Sequence, residues 1–559
     1  MKKFMTSCMA VALVILGHSC TSSTENTACC QYVAGNEIAA LAAPQATTVN
    51  GVLEGVNESG VAVFKGVPFA APPVGELRWK APQPVENWTG VKDAKEFGPN
   101  PMQRPIFGDM AFGTKEMSED CLYLNIWTPA TSTADKLPVF IYFNGGGMRA
   151  GSGSEPRYAG MTFARNGIVA ITANYREDIF GYFAHPELSA ETEYKGSGNY
   201  GNIDQAAAIA WVKENIAAFG GDPEKITIMG ESAGSRSVCI LMASPLSKGL
   251  IAQAMGSSGS SVGAPVLTLE EAEQAGLAIQ EKVGCASLAE LRAMPAEELM
   301  NKAELAAATN NIDNYLIVEQ PYLTYKKGEQ AQVPVLIGNN NAELFPQLVC
   351  GSDATLNGMK AGFKKWLGEE ATDADIDRIC ELYGLVDDAS VMQLPGYAAG
   401  GDKFIAFNTV KWINMIAATT TQPVYRYRFC KARPDLIDNN KVSALAGGTR
   451  DKEKGEETTP STPGAIHSVD IEYQMGNIPT TPIYEWTAVD FDISEVFVKL
   501  FVNFVKTGNP NGLGVPQWDP INGEDVPPVM CIGVKSYQER DPLMKERYEL
   551  LDKYLDLGL

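Results

Sequence analysis

The sequence predicts an α/β protein in one large domain, with a mostly parallel central sheet flanked by helices. Three observations predict it. From residue 49 onward, short apolar runs bounded by turn residues alternate with stretches of helical period. One run, 226–229, passes directly into G-x-S-x-G and then into a helical pattern, the order strand, tight turn, helix. Across 559 residues there is no internal repeat and no composition break that separates domains. With 45% apolar and 20% charged residues, the chain has the means to bury a large core.

Lys2 and Lys3 precede an apolar run at 9–17. A bilayer span needs about 20 apolar residues, so this run reads as the core of an export signal covering residues 1–19. Gly17-His18-Ser19-Cys20 resembles the bacterial lipoprotein signal. That resemblance implies an acylated Cys20 as the mature N-terminus, an address in the bacterial cell envelope, and a flexible tether over 20–45. The domain is then expected over 46–559, in contact with a membrane only through its lipid.

Within the domain, 52–54 and 61–64 are expected to pair as an antiparallel hairpin around 57–60. Strands are predicted at 122–127, 138–143, 168–175 and 226–229. Ile209, Val212, Ile216 and Phe219 lie at helical spacing and predict a helix over 204–219. Later strands are expected at 333–337 and 424–429, and 447–463, charged and rich in Gly and Thr, reads as a surface loop.

Lys+Arg 45 against Asp+Glu 67 gives a net charge of −22. Nucleic acid and anionic lipid surfaces both require positive patches, so neither is expected as the main partner. Three histidines and no H-E-x-x-H argue against a His-rich zinc site, and no metal or other cofactor is expected. The G-x-G-x-x-G at 196–201 follows a polar stretch in place of a strand, which removes the dinucleotide reading.

Ser232 sits at the centre of G-x-S-x-G. The glycines relieve crowding in a strained turn that lifts the serine above the sheet, and the helix that follows points N–H groups at it. Gly145, Gly146 and Gly147, after the predicted strand 138–143 and Asn144, can bend so that backbone N–H groups converge on one oxyanion.

FGGDPEKITIMGESAG, residues 219–234, resembles the active-serine signature of the type-B carboxylesterase and cholinesterase family. EDCLYLNIWTP, 119–129, matches that family's second signature, and similar stretches run from KGVPFA at 65–70 to TGNPN at 507–511. The likeness spans roughly residues 46–545. It implies the α/β-hydrolase fold and hydrolysis of small-molecule carboxylic esters by a Ser-Glu-His triad. By the same likeness, Gly146, Gly147 and Ala233 donate to the oxyanion. The family order of serine, acid, histidine excludes His185 and selects His467 in GAIHSVDIEY. Glu343 lies five residues after Gly338, the family spacing for the acid, with Asp470 as its rival. Ser258 corresponds to a serine that supports the triad.

The sequence departs from the family at Asn144 and Met148, where an aromatic or His and a Phe are common. Pro101 stands where the partner of Cys121 belongs and Glu290 near the place for the partner of Cys285, so few or no disulfides are expected. Arg149, on the Gly-rich loop, is a candidate to favour anionic acids, though pairing with a nearby carboxylate is the stronger expectation. Two other functions remain open from sequence: a non-catalytic binding or adhesion protein on this fold, and amide or thioester hydrolysis by the same triad.

Overall fold

The computed structural model describes residues 43–107, 110–263, 265–304, 309–443, 449–453 and 462–555. The expected export signal, Cys20 and nearly all of the tether lie outside the described residues. Of the tether, Gln45 already opens a strand, Gln45–Thr48.

The main sheet is built from β1 (Val56–Glu58), β2 (Val61–Pro68), β3 (Tyr123–Thr128), β4 (Leu137–Phe143), β5 (Val169–Ala173), β6 (Gly221–Glu231), β7 (Gln253–Ser257), β8 (Val335–Asn340), β9 (Val424–Phe429), β10 (Val529–Ile532) and β11 (Tyr537–Glu539). Their spatial order is β11-β10-β9-β8-β7-β6-β4-β5-β3-β2-β1. From β5 through β10 the neighbours run parallel, and antiparallel pairs close both ends. The helices that bear on the site and the cavities are α1 (Tyr200–Asn215), α2 (Ala233–Ala243), α3 (Phe407–Thr419), α4 (Ala488–Thr507) and α5 (Pro542–Leu555).

The strand period of two distributes the core. Val139, Ile141 and Phe143 of β4 face a cluster that includes Ile209 and Val212 of α1 and Val238 and Leu241 of α2. Phe140 and Tyr142 face the opposite cluster, with Phe497, Phe501 and Phe504 of α4. Burial on both faces is why β4 reads as an unbroken apolar run.

Three expectations need correction. The hairpin around 57–60 exists, but its first strand is Val56–Glu58, with Val56 opposite Val63. Residues Gly51–Glu54 pair instead with Gln45–Thr48 in a separate small sheet, because the chain turns at Gly55, where a side chain would strike the Val63 carbonyl at 2.3 Å. The described part of 447–463 is not all loop: Thr449–Asp451 pairs with Lys441–Ser443 as a short ribbon. The expected helix at 204–219 begins earlier and ends as a 3-10 turn, Ile216–Phe219.

The order of the sheet fixes where a site can form. From β4 the chain moves outward to β5, then returns to place β6 on the other side of β4. Open α/β sheets have their crevice at such a reversal, beyond the carboxyl ends of the strands. The loop after β4 and the turn after β6 meet there.

Candidate active site

Ser232 follows β6 directly and caps α2. Its backbone, φ 57° and ψ −120°, lies outside the allowed regions for an L-residue, and such strain persists only where the surroundings hold it. They do: Ser232 N–H donates to the Ser257 carbonyl at the end of β7 (2.9 Å). Gly234 lies so close to β4 that an added Cβ would be 2.1 Å from the Phe143 carbonyl oxygen.

The three residues expected to act together are adjacent. His467 Nε2 is 2.9 Å from Ser232 Oγ, and His467 Nδ1 is 2.8 Å from Glu343 Oε2. Glu343, fully buried, follows β8 and also accepts from Ser258 Oγ (2.5 Å) and from the Asn340 N–H (2.6 Å). The His467 N–H donates back to the Glu343 carbonyl (2.9 Å), tying the two loops together. Asp470, the rival acid, accepts from Asn340 Nδ2 at 3.2 Å and has no hydrogen bond to His467 among the described residues.

The Gly-rich loop faces the serine. Gly146 has φ +112°, and a Cβ there would overlap the Ala150 carbonyl oxygen at 1.6 Å, so only glycine fits. Gly146 and Gly147 line the cavity that contains Ser232 and His467. Ala233 is the first residue of α2, where backbone N–H groups lack intrahelical partners. Gly145 packs against the end of β6, its Cβ position 2.7 Å from the Glu231 carbonyl oxygen. Asn144 is buried and braces the loop: Nδ2 donates to the Gly145 carbonyl (2.9 Å), while Tyr175 Oη donates to the Asn144 carbonyl (2.8 Å). Met148 is fully buried in a cluster with Tyr182 and Ala233 and does not line the cavity. Arg149 is also outside the lining; its charge is felt by the buried Asp178.

The cavity has a volume of about 230 Å³ and three features the sequence reading did not single out. Phe404, from a π-helical segment Asp402–Ala406, sets its ring edge-on to His467 at 5.0 Å between centroids. Arg157, 4% exposed, lines the cavity while paired with the equally buried Glu155. Glu231, next to the serine, places Oε1 3.4 Å from His467 Nε2. A π-helical turn and a buried ion pair leave no periodic signal. Glu231 was legible within the motif, but its orientation was not.

Burial pushes the Glu231 carboxyl up to about 8, against the pull of His467. Burial disfavours the His467 imidazolium, but Glu231, Glu343 and Asp470 outweigh it and raise the group to about 9. Burial and the Glu343 charge lift Asp470 to about 6.

Residues 42–551 match the sequence profile of the carboxylesterase family. The chain belongs to this family. The para-nitrobenzyl esterase of Bacillus subtilis is 30% identical over 527 residues, 90% of this chain and 98% of that one. The fumonisin B1 esterase of Sphingopyxis macrogoltabida is 37% identical over 395 residues, 68% of this chain and 70% of that one. A solved para-nitrobenzyl esterase structure superimposes with a TM-score of 0.73 at 29% identity, covering 91% of this chain and 99% of the other. A Geobacillus stearothermophilus carboxylesterase gives 0.73 at 30% identity, covering 90% and 99%. The fold is therefore that of the α/β-hydrolases, and this carboxylesterase is an enzyme that hydrolyses carboxylic esters, which answers the non-catalytic alternative.

Among the described residues, no cluster of three or more His, Cys, Asp or Glu side chains could hold a metal ion, and no helix is long and apolar enough to cross a membrane. Cys121, Cys239, Cys285, Cys350, Cys380, Cys430 and Cys531 are free thiols.

Proposed function

We propose that this carboxylesterase acts through an acyl-enzyme on Ser232, with His467 as general base and acid and Glu343 as its orienting carboxylate. The observation that carries the reading is the unbroken relay from Ser232 Oγ to His467 (2.9 Å) and from His467 to Glu343 (2.8 Å). Ser232 Oγ attacks the ester carbonyl carbon while its proton passes to His467 Nε2. The oxyanion is held by the N–H groups of Gly146, Gly147 and Ala233, each such donor worth on the order of 10²–10³ in rate. Collapse expels the alcohol, which takes the proton from His467. Water then attacks the acyl-enzyme by the same relay, releasing the acid and restoring Ser232. Ser258, by donating to Glu343, helps keep that carboxylate aimed at the imidazole.

The substrate is a small-molecule ester, and an apolar-walled cavity of about 230 Å³ suits a short or flat acyl group. The leader at 1–19 and an acylated Cys20 place the enzyme in the cell envelope in this reading. The test of the chemistry is a panel of p-nitrophenyl esters, thioesters and anilides on wild type and Ser232→Ala. Ester turnover is expected to fall about 10⁴-fold or more in the variant with an unchanged melting temperature. Diethyl p-nitrophenyl phosphate is expected to label wild type once, at Ser232. Label on another serine overturns the assignment, and faster turnover of the anilides overturns the ester reading.

A further inference from the structure

A second cavity, about 470 Å³, lies on the far side of α3 from the sheet centre, between α3, β9, β10 and α5. Phe407, Val410, Val529 and Met544 make its walls apolar, and Arg426 of β9 reaches it from the core. Arg426 is 5% exposed, yet it forms no ion pair within 4 Å among the described residues. Its Nε has no hydrogen-bond partner, Nη2 meets only the Met544 Sδ at 3.4 Å, and the guanidinium lies over the Tyr548 ring at 5.3 Å. Asp402 in the core is felt by Arg426 but is already shared by Tyr383, Tyr548 and Arg547. No carboxylate among the described residues thus contacts this buried cation, and such a group is costly unless something else supplies the charge. The carboxylates at the mouth do not: Asp552 pairs with Lys411, Asp525 and Glu549 with Lys545, and Glu524 with Arg540, while Asp541 accepts from the Leu543 N–H.

We propose that this cavity binds a small monocarboxylate with an apolar tail, its carboxylate on Arg426 and its chain along Phe407, Val410 and Val529. Cavities of about 300–1,000 Å³ take ligands of this size. The excess of carboxylates at the rim opposes polyanions such as nucleotides, leaving a single negative charge as the best match for one guanidinium. Carboxylic acids are also what ester hydrolysis releases, so the enzyme's own product class is chemically suited to the site. The cavity is not isolated from the reacting residues: Tyr548, which lines it, donates to Asp402 (3.0 Å), and the adjoining Gly401 packs against Glu343.

The test uses the full chain and octanoate, with 1-octanol and octanedioate as the neutral and doubly charged comparators, followed by titration calorimetry. Octanoate is expected to bind, both comparators at least about tenfold more weakly, and Arg426→Met to lose about tenfold or more for octanoate alone. Because octanoate can also enter the Ser232 cavity as a product, crystals soaked in 8-bromooctanoate locate the site by bromine anomalous scattering. A peak beside Val529 and Phe407 is the expected result. Should Arg426→Met fail to fold, Ala418→Trp, which fills the cavity from its exposed rim, is expected to show the same loss while keeping normal ester turnover. Bromine only beside Ser232, no bromine, or undiminished octanoate affinity in the folded variants overturns the proposal.

Discussion

At the scale of single residues, two buried carboxyls carry measurable consequences. Glu231 stands 3.4 Å from His467 Nε2 and helps raise that imidazole to about 9. Since the base must be neutral to accept the serine proton, kcat/KM should climb with pH through a limb above the ordinary histidine value of about 6.5. In Glu231→Gln the carboxylate that favours the imidazolium is gone, so the limb should move to lower pH. A pH profile of p-nitrophenyl butyrate hydrolysis checks this, and an unmoved limb would mean Glu231 stays protonated throughout. Asp178 is the second case. It has φ +47°, and burial lifts it to about 6 against the opposing charges of Arg149 and Arg104 and the neighbouring Ile179 N–H. A carboxyl whose folded pKa exceeds its unfolded value of about 4 holds its proton more tightly when folded. Its favourable share is therefore complete below about pH 4 and lost as pH rises through 6. Asn tolerates the same backbone and cannot ionise, so Asp178→Asn should be more stable than wild type by roughly 1–3 kcal/mol at pH 8. The gain should vanish near pH 4 in denaturant titrations.

At the scale of elements, the reactive geometry depends on how closely α2 approaches β4. Gly234 allows it: a methyl group there would lie 2.1 Å from the Phe143 carbonyl and 2.8 Å from that of Asn144. Both neighbours are backbone, one the last residue of β4 and the other the first of the loop after it, and cannot move aside cheaply. Gly234→Ala should therefore push the helix outward, cost about 2–4 kcal/mol of stability, and separate Ala233 N–H from the Gly146 and Gly147 pair. Urea melts and kcat measured on the folded fraction separate the two effects. A variant with normal stability and a normal rate would show that the helix N-terminus has slack the packing does not reveal.

At the scale of the whole molecule, the acidic surface and the leader belong together. A chain of net charge −22 has no electrostatic attraction to an anionic bilayer, so in the proposed reading membrane association rests on lipid at Cys20 alone. Cys20→Ala is expected to move esterase activity from the membrane fraction to the soluble fraction of cells expressing the full chain. Mass spectrometry of the wild-type N-terminus is expected to find acylated Cys20. Equal fractionation of the two proteins would remove the anchor.

Much of the site was readable in the chain, because it rests on local rules. A strained strand-to-helix turn demands small neighbours, so Ser232 announced itself through Gly230 and Gly234. The glycine triplet did the same for the loop after β4, and the apolar run at 138–143 marked β4 as a strand. With three histidines, His467 had little competition. The pairing of Glu343 with His467, 124 residues apart, came from family spacing and needed three dimensions to be set against Asp470, since both carboxyls are buried and only one meets Nδ1. The first strand of the hairpin was misassigned because 51–54 and 56–58 are both short and plausible, and only the crowding at Gly55 separates them. Phe404 on its π-helical turn, the Glu155–Arg157 pair and the unpaired Arg426 were invisible for a common reason. Sequence specifies chemistry along the chain, whereas what a side chain faces is fixed by the packing of elements far apart in that order. The chain by itself thus determined the candidate nucleophile, the loop that faces it and the alternating fold that carries them. The tertiary structure decided which acid meets the histidine, which charges are paired, and which cavities they line, because those depend on distances that no spacing encodes.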